Sequence, residues 1–553
     1  MLMYVAGKLV LLAAIAPTTT LSSPLKANTS DDPIPVVGLT TGIKPSGERP
    51  PRWNVNELQA RGGPLWDLYI QGLTALQSKP ESDERSHFRV SGIHGRPYAS
   101  YNGVGAVPGG SGGGFCPHGE TQFTSWHRPY VALYEQLLGA EVQRIALTYT
   151  GRNASTYVNA GKLFRIPYWD WAANPALPPS CIQKNITVNG PRGLLTLANP
   201  LYSYRWQTYP LNQTQFPGSG DWPAETTRGS DSNSDFSPDA VNANLIAAAD
   251  QLKDQTYLTL TTAQSYDQMA TMASSGVSIE APHNLIHNCV GGAFLSLDTT
   301  GFDPLFMLHH TNLDRLVALW VAIHMNYTHQ SETYTSGGLY GTAKGDNITA
   351  ESPLKPFYQA DGKTFHTGIS VASLRIFGYT YPELNVWDLD RERGRKTVIN
   401  HVNTLYGSHS ADMGKASARN GSTEWYVGLQ VERSELPLPC TIDTYMGNQL
   451  VGRTALLDMP RQGLAHDEVP LQRAIGYLDA NATSVAAIEA MLQKQLCVEI
   501  KEVDGITVNL SSVPSLKLDV VAVAVTPPAS ESEFPQYGNR STYTKVFTEH
   551  NGA

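Results

Sequence analysis

The apolar positions in the first part of the chain recur with the period of an α-helix. Within residues 65–76 they are three to four positions apart, and a longer apolar stripe covers residues 131–145. We predict four helices. The first starts near Leu65, and the second has Pro129 in its first turn. The third starts near Pro282, and the fourth runs from about His309 to Ile323. Residues 151–275 are predicted to be long loops with scattered short helices.

The last part of the chain has the residue pattern of β-strands. We predict strands at residues 425–431, 499–508 and 516–525. Between the helical and the strand-like parts, residues 391–423 are first charged and then rich in Ser and Gly, which is typical of a linker. The pattern therefore predicts a mainly α domain over residues 28–385, a linker over 386–423 and a β-rich domain over 424–553.

The N-terminus has the features of a secretory signal peptide. Lys8 precedes an apolar run at residues 9–16 that is too short to span a bilayer. We predict a signal peptide within residues 1–27 that ends at Ala16 or at Ala27. Acceptor sequons for N-glycosylation occur at Asn28, Asn153, Asn185, Asn212, Asn326, Asn347, Asn420, Asn481, Asn509 and Asn539. This number favours a secreted, extracellular glycoprotein of a eukaryote.

Composition and charge exclude several classes of protein. The chain has 553 residues, of which 41% are hydrophobic and 16% charged, so it is neither disordered nor a coiled coil nor a collagen. Its formal net charge is −9, and it has no basic block. We therefore expect neither nucleic acid nor a membrane among its partners.

Five cysteines are an odd number for an oxidising compartment. By position, one disulfide is expected in each half of the chain, Cys181–Cys289 and Cys440–Cys497. Cys116 is left over, and it stands two residues before His118 in a Gly-rich loop.

Six of the histidines fall into two groups of three. His283 and His287 are four residues apart on a predicted helix and so project from one face. Imidazole ligands suit Zn, Cu, Fe or Ni, but a zinc protease would have Glu where Asn284 follows the first histidine. Two clusters without a carboxylate favour copper, whereas a single cluster would favour structural or surface histidines. The two groups are His94, His118 and His127, and His283, His287 and His310.

Several segments resemble the tyrosinases, a family of dicopper oxidases. Residues 94–98 (HGRPY) and 125–130 (SWHRPY) look like the copper A region of that family, and residues 302–315 (FDPLFMLHHTNLDR) look like its copper B signature. Residues 167–171 (PYWDW) and 379–381 (YTY) are similar to the segments between and after these motifs. The resemblance covers about residues 50–385 and places the chain nearest to the fungal tyrosinases and polyphenol oxidases.

The resemblance implies two copper ions, held by the two histidine groups. His309 competes with His310, but the family spacing from Asp303 and from Asp314 selects His310 as the ligand. His309 is then expected to lie behind the ligands, and Asp314 to orient the helix that carries them.

The resemblance also assigns roles close to the metal. Cys116 is expected to form a thioether with His118. Glu280 and Asn284 are expected to hold a water that takes the proton of a phenol. The loop between residues 290 and 302 is shorter than in many fungal tyrosinases, which leaves the choice between monophenols and diphenols open.

For the whole chain, the resemblance implies a four-helix bundle around the coppers and a C-terminal β-sandwich that shields them. A protease would remove this cover within the linker, for which Arg395–Lys396 is the candidate site. Until then Tyr445 is expected to occupy the substrate position as a plug.

The implied reaction couples the reduction of O₂ to the oxidation of small phenols and catechols. The leading hypothesis is a latent tyrosinase that hydroxylates monophenols and oxidises o-diphenols to o-quinones. One alternative is a catechol or o-aminophenol oxidase without hydroxylation. Alternatives from other classes are a haemocyanin-like oxygen carrier and an inert extracellular copper protein.

Overall fold

The structure, a computed structural model, describes residues 32–110, 113–229, 236–407, 422–478, 484–544 and 548–549. The predicted signal peptide and three of the ten sequons, at Asn28, Asn420 and Asn481, lie outside these residues. Within them, every helix is too short or too polar to cross a lipid bilayer.

The first domain is mainly helical. Its longest helix packs against the second, fifth and tenth helices, and the ninth packs against the sixth and seventh. In chain order the helices are α1 (Val55–Arg61), α2 (Gly63–Gln77), α3 (His87–Ser91), α4 (Phe123–Ala146), α5 (Ala154–Leu163), α6 (Pro238–Ala247), α7 (Ala249–Thr262), α8 (Tyr266–Ala270), α9 (Glu280–Val290), α10 (Leu305–Ile323) and α11 (Arg391–Tyr406). Short two-stranded sheets decorate them, namely β1 (Asn185–Gly190) with β2 (Gly193–Ala198), β3 (Tyr334–Thr335) with β4 (Asn347–Ile348), and β5 (Pro353–Tyr358) with β6 (Phe365–Thr367).

Two predicted helices start earlier than expected. Helix α4 begins at Phe123, so Pro129 lies inside it rather than in its first turn. Proline removes only its own N–H from the helix ladder, and Trp126 N still donates to Gln122 O at 2.8 Å. Helix α10 begins at Leu305, because the Asp303 carboxylate accepts a hydrogen bond from Leu305 N at 2.9 Å.

The predicted linker is wrong over its first half. Residues 391–406 form α11, which Asp390 caps and which packs on α7 and α10 through a buried face that includes Val398 and Val402. Charged residues between these apolar positions hide the helical period in the sequence. Arg395 of the candidate processing site lies within this helix and donates to Ile323 O at 2.9 Å, unlike the exposed loops that proteases prefer. Residues 408–421 of the predicted linker lie outside the described residues.

The C-terminal domain consists of two mostly antiparallel sheets. Their strands are β7 (Ser422–Glu432), β8 (Cys440–Met446), β9 (Gln449–Leu456), β10 (Leu464–Pro470), β11 (Leu496–Glu502), β12 (Thr507–Val508), β13 (Lys517–Thr526), β14 (Gln536–Thr544) and β15 (Thr548–Glu549). One sheet has the order β10-β7-β13-β14, and the other has the order β12-β11-β8-β9 with β15 parallel to β11. Two helices, α12 (Gln472–Leu478) and α13 (Val485–Gln495), complete the domain.

One apolar core lies between these two sheets and continues onto the first domain. It contains residues from both sheets, such as Val427, Ile442 and Val498. Met272 and Ala281 of the helical domain belong to the same cluster. The C-terminal domain therefore shares buried apolar surface with the region around the start of α9.

The disulfide predictions are wrong, since Cys181, Cys289 and Cys440 are free thiols and each predicted pair needs at least one of them. Cys440 pairs in register with Glu502 and Cys497 with Tyr445, at opposite ends of the β8–β11 ladder. Five rungs of about 3.4 Å separate them, roughly 17 Å, whereas a disulfide needs Cα atoms within about 7 Å. Burial raises the pKa of the Cys181 thiol to about 11 and that of Cys289 to about 12.

Candidate metal centre

Two buried clusters of histidines face each other inside the helical domain. In each cluster, the possible ligand atoms lie within 4.8 Å of one another. One cluster lies in the loops before α4 and on its first turns, and the other lies on α9 and α10. Their members are His94, Cys116, His118 and His127, and His283, His287, His309 and His310. The structure thus brings together all six predicted ligands.

The rings of the first cluster are oriented by backbone carbonyls. His127 Nδ1 lies 2.7 Å from Phe123 O, and His94 Nδ1 lies 3.1 Å from Leu297 O. A ring whose Nδ1–H donates to a carbonyl carries its free lone pair on Nε2. His94 Nε2 is buried and has no hydrogen-bond partner in the described part of the chain. A donor atom left in this state fits a metal ligand.

The second cluster has the same arrangement with tighter convergence. His287 Nδ1 lies 2.7 Å from Phe294 O, and His283 Nδ1 lies 2.8 Å from Asn284 Oδ1. The Nε2 atom of His283 is 3.2 Å from Nε2 of His287 and 3.2 Å from Nε2 of His310. Metal–nitrogen bonds of about 2.0–2.1 Å place neighbouring ligand nitrogens about 3 Å apart, so this spacing fits one metal ion.

His310 directs its Nε2 atom at that of His283, whereas His309 stacks on the His283 ring. The His309 ring stacks on the His283 ring with centroids 4.7 Å apart and an angle of 25° between the planes. Both of its nitrogens are buried without a hydrogen-bond partner among the described residues. His309 therefore packs behind the ligand ring, although its nitrogen still lies within the cluster.

The two clusters form one centre. The rings of His127 and His310 stack with centroids 4.2 Å apart, and the rings of His118 and His283 lie 5.7 Å apart. Burial lowers the pKa of His127 to about 3 and that of His287 to about 4. The imidazoles are consequently neutral at physiological pH, which is the form that binds metal.

Cys116 lies between two histidines of the first cluster. Its Sγ is 3.0 Å from His118 Nδ1 and 3.2 Å from His127 Nε2. Burial raises the pKa of this thiol well above its ordinary value. The sulfur contacts the imidazole to which the predicted thioether would attach, and the bond itself stays a prediction.

Asp314 connects the helices behind the centre. It accepts hydrogen bonds from Arg128 at 2.6 Å, Arg52 at 3.1 Å and the hydroxyls of Tyr379 at 2.7 Å and Tyr381 at 2.6 Å. Burial would raise the Asp314 pKa, but the charges of Arg128 and Arg52 hold it below its ordinary value. The sequence gives no signal for Arg52, because its partners come from distant parts of the chain.

Glu280 is buried beside the His118 loop. Its Oε1 accepts a hydrogen bond from Gly119 N at 2.7 Å, and its Oε2 accepts from Thr271 Oγ1 at 2.8 Å and Met272 N at 2.9 Å. Both carboxylate oxygens are thus engaged by protein donors.

Asn284 bridges two neighbours of the centre. Its oxygen faces His283, and its Nδ2 donates to Met272 Sδ at 3.4 Å. The carboxamide thereby fixes the orientation of the His283 ring. The role of Glu280 and Asn284 in holding a water stays a prediction.

The C-terminal domain covers the centre on the side of the His118 loop. His466 N donates to Met272 O at 2.8 Å, and Asp458 accepts from Leu297 N at 3.3 Å. Arg433 is buried close to Gly119, and a Cβ atom built on Gly119 would lie 3.7 Å from Arg433 Nη2. No pattern in the sequence points to Arg433, because only the tertiary fold brings it close to Gly119.

Tyr445, the predicted plug, has its contacts in the C-terminal sheet. Its hydroxyl accepts a hydrogen bond from Lys501 Nζ at 3.1 Å. Its pKa is raised by burial, and the charged groups that act on it are Asp443 on its own strand and Lys501 and Glu499 on the neighbouring strand β11. These contacts tie Tyr445 to its own sheet and give no support to a plug at this position.

Comparison with known proteins agrees with this centre. The family model "Common central domain of tyrosinase" matches residues 84–323, which include both histidine clusters. A tyrosinase of Podospora anserina is 32% identical over 429 residues, which are 71% of this chain and 72% of that protein. Polyphenol oxidase 2 of Agaricus bisporus is 29% identical over 422 residues, 73% of this chain and 72% of that protein.

A solved structure of mushroom tyrosinase, described as containing latent and active forms, has a similar fold. The TM-score is 0.82 at 24% sequence identity, and the match covers 94% of this chain and 100% of that one. It supports a helical core with a C-terminal sheet domain. With the Podospora relative above 30% identity over most of its length, the chain belongs to the tyrosinase family of copper-dependent phenol oxidases.

Proposed function

We propose that this protein is a secreted tyrosinase that is latent until its C-terminal cover is removed. In this proposal it uses O₂ to hydroxylate monophenols at the ortho position and to oxidise o-diphenols to o-quinones. The observation that carries the proposal is the convergence of His283, His287 and His310 at 3.2 Å spacing beside the stacked ring of His127.

The donor set fits copper. Neutral imidazoles suit a metal that changes between two oxidation states, and each described cluster lacks a carboxylate. His94, His118 and His127 would hold one copper ion, and His283, His287 and His310 would hold the other. When bound, the two ions would supply O₂ binding and electron transfer.

The residues around the histidines would control orientation and protons. The carbonyls of Leu297, Phe123 and Phe294 fix three rings by their Nδ1 atoms. A phenol must lose its proton before it binds a metal, and we propose that Glu280 and Asn284 hold the water that accepts it. Their positions, beside His118 and His283, support this role.

Latency rests on the contacts of the cover. The cover donates to Met272 O through His466 and packs Pro460 against Gly119. The mushroom relative is described as existing in latent and active forms. We propose that the helices form a four-helix bundle around the metals and that the cover is a β-sandwich, which a protease cuts away.

Secretion is supported by the surface positions of the sequons. Each of the seven sequon asparagines that the structure describes is exposed, including Asn153, Asn212 and Asn326. Exposure is required for glycosylation in a folded chain. We therefore propose an extracellular protein.

Oxygen uptake tests the function. Copper-loaded protein is assayed before and after limited proteolysis, with tyrosol as monophenol and 4-methylcatechol as diphenol. Uptake with both substrates that increases after cleavage is the expected result. Uptake with the catechol alone would make the protein a catechol oxidase, and reversible O₂ binding without turnover would make it an oxygen carrier.

A further inference from the structure

Leu297 connects the C-terminal cover to the first histidine cluster through its two backbone polar groups. Its N–H donates to Asp458 Oδ1 at 3.3 Å, and its carbonyl oxygen lies 3.1 Å from His94 Nδ1. Asp458 follows strand β9 in the cover, and its other oxygen accepts a hydrogen bond from Ser296 Oγ at 3.1 Å. One carboxylate of the cover therefore holds two consecutive residues of the segment that contacts His94.

The same segment also contacts the second cluster. Phe294 O lies 2.7 Å from His287 Nδ1, and the Phe294 ring stacks on the His287 ring with centroids 4.6 Å apart. A carbonyl oxygen can only accept, so the Nδ1 atoms of His94 and His287 carry their protons and the Nε2 atoms stay available. One loop, residues 294–298, thus orients one ring in each cluster.

Contacts within the helical domain fix this loop at Asp298, whereas the Leu297 amide donates to the cover. Arg96 N donates to Asp298 O at 2.9 Å, and Arg96 Nε donates to the Asp298 carboxylate at 3.0 Å. Only the φ and ψ angles of Leu297 separate the amide that the cover holds from the carbonyl that His94 contacts. A shift of that amide would therefore move the acceptor of the His94 ring.

We propose that Asp458 is a positioning residue of the metal centre, which holds the 294–298 loop where its carbonyls orient His94 and His287. The docked cover then raises the metal affinity of both clusters, because hydrogen-bond partners of ligating histidines contribute about 10- to 100-fold to affinity. This inference rests on the proposed dicopper centre. Its consequence is that the released enzyme holds its metal less tightly than the covered one.

The test follows ring protons of the metal-free full chain, isotopically labelled at histidine, by their hydrogen-exchange rates in NMR spectra. In Asp458→Ala, the Nδ1 protons of His94 and His287 should exchange about tenfold faster than in wild type, since a hydrogen bond to a carboxylate is worth about that factor. The Nδ1 proton of His127 is the internal control, because its acceptor, Phe123 O, lies on the same helix. An equal increase at His127 would contradict the inference.

Two further variants keep the test independent of the folding of Asp458→Ala. Asp458→Asn keeps an oxygen for Leu297 N and gains an amide that can donate to Ser296 Oγ, so its rates should match wild type. Ser296→Ala removes one of the two contacts from the side of the loop and should give a smaller increase at the same two rings. Wild-type rates in Ser296→Ala would overturn the inference even if Asp458→Ala does not fold.

Arg473→Met separates positioning from docking of the cover as a whole. Arg473 bridges to two aspartates of α7 at 2.7 and 3.1 Å. Its loss should speed exchange at the His466 amide, which donates across the interface, and leave the two ring protons at the wild-type rate. Ring protons that exchange equally fast in Arg473→Met and in Asp458→Ala would refute the inference, since any loosening of the cover would then suffice.

Zinc affinity separates this inference from the proposed function. Zn²⁺ carries the charge of a cupric ion without redox chemistry, and it is titrated in competition with a chromophoric chelator. Wild type should bind two zinc ions per chain, and Asp458→Ala should bind them about tenfold more weakly. Equal affinities would remove the positioning role while the metal centre stands, whereas a wild type that binds no zinc would overturn both.

Discussion

The carboxylate of Asp314 lies 2.6 Å from Arg128 Nε and joins the two helices that carry His127 and His310. Both side chains are almost fully buried, at 2% and 4% exposure. The pair thus fixes the distance between the two histidine clusters. The same carboxylate accepts a hydrogen bond from the Tyr381 hydroxyl, which attaches the segment around residue 381 to the helix that carries His310.

Asp314→Asn should destabilise the protein strongly. It removes the negative charge that Arg128 and Arg52 share, and leaving buried charges unpaired costs about 3–5 kcal/mol. The measurement is urea unfolding followed by tryptophan fluorescence. Asp390→Asn, which loses an exposed ion pair with Arg393 but keeps a side chain that can cap α11, is the control and should change little. Equal effects of the two substitutions would contradict a structural role for the buried network.

Asn284→Leu should weaken metal binding at the second cluster. The side chain of Asn284 accepts from His283 Nδ1 at 2.8 Å, and loss of such a partner typically costs 10- to 100-fold in affinity. Asn284→Asp keeps an acceptor at this position and serves as the control. The readout is copper retention during titration with a chelator. Unchanged retention in Asn284→Leu would show that the His283 ring is oriented without this bond.

Docking of the cover should weaken as the pH rises from about 4 to about 6. Burial raises the pKa of Asp467, which accepts from Gln255 of the helical domain at 2.9 Å, to about 6. Burial, with the charge of Asp298, raises the pKa of Asp458 to about 6 as well.

Both carboxylates bind their proton more tightly in the docked cover than in a released one. In a released cover both groups have the ordinary aspartate pKa near 4, so docking favours the protonated forms. Their stabilising contribution is full below about pH 4 and is lost as the pH rises through 6. Arg96 and Tyr98 donate hydrogen bonds to the Asp298 carboxylate. These bonds hold Asp298 in the position from which its charge repels that of Asp458.

Limited proteolysis at pH 5 and pH 8 measures this dependence. Cleavage that releases the cover should be slower at pH 5, after correction for protease activity on an unfolded substrate. The double variant Asp458→Asn with Asp467→Asn should show little difference between the two pH values. A difference that persists in this variant would assign the effect to other groups.

The local parts of the fold and of the centre could be predicted from the sequence. His283 and His287 fall on one face because their spacing matches one helical turn, and this needs no tertiary information. The spacing of Asp303 and Asp314 in the resemblance likewise pointed to His310. In the structure, the Nε2 atom of His310 lies 3.2 Å from that of His283.

The rest depends on contacts between distant segments. Arg52 is 262 residues from Asp314, and Arg433 reaches Gly119 only when the cover is docked. A local motif predicts Tyr445 as the plug, but the register of its strand pairs it with Cys497, and its hydroxyl accepts a hydrogen bond from Lys501 of the same sheet. The pairing of Cys440 with Cys497 failed for the same reason, because strand register, not position in the chain, sets their separation.

Copper stoichiometry in single-histidine variants tests the central claim most directly. Wild type should bind two copper ions per chain. His310→Asn should bind one, because it removes a converging nitrogen from the second cluster, whereas His309→Asn should keep two. One copper ion in wild type, or loss of copper from His309→Asn but not from His310→Asn, would contradict the dicopper centre described above.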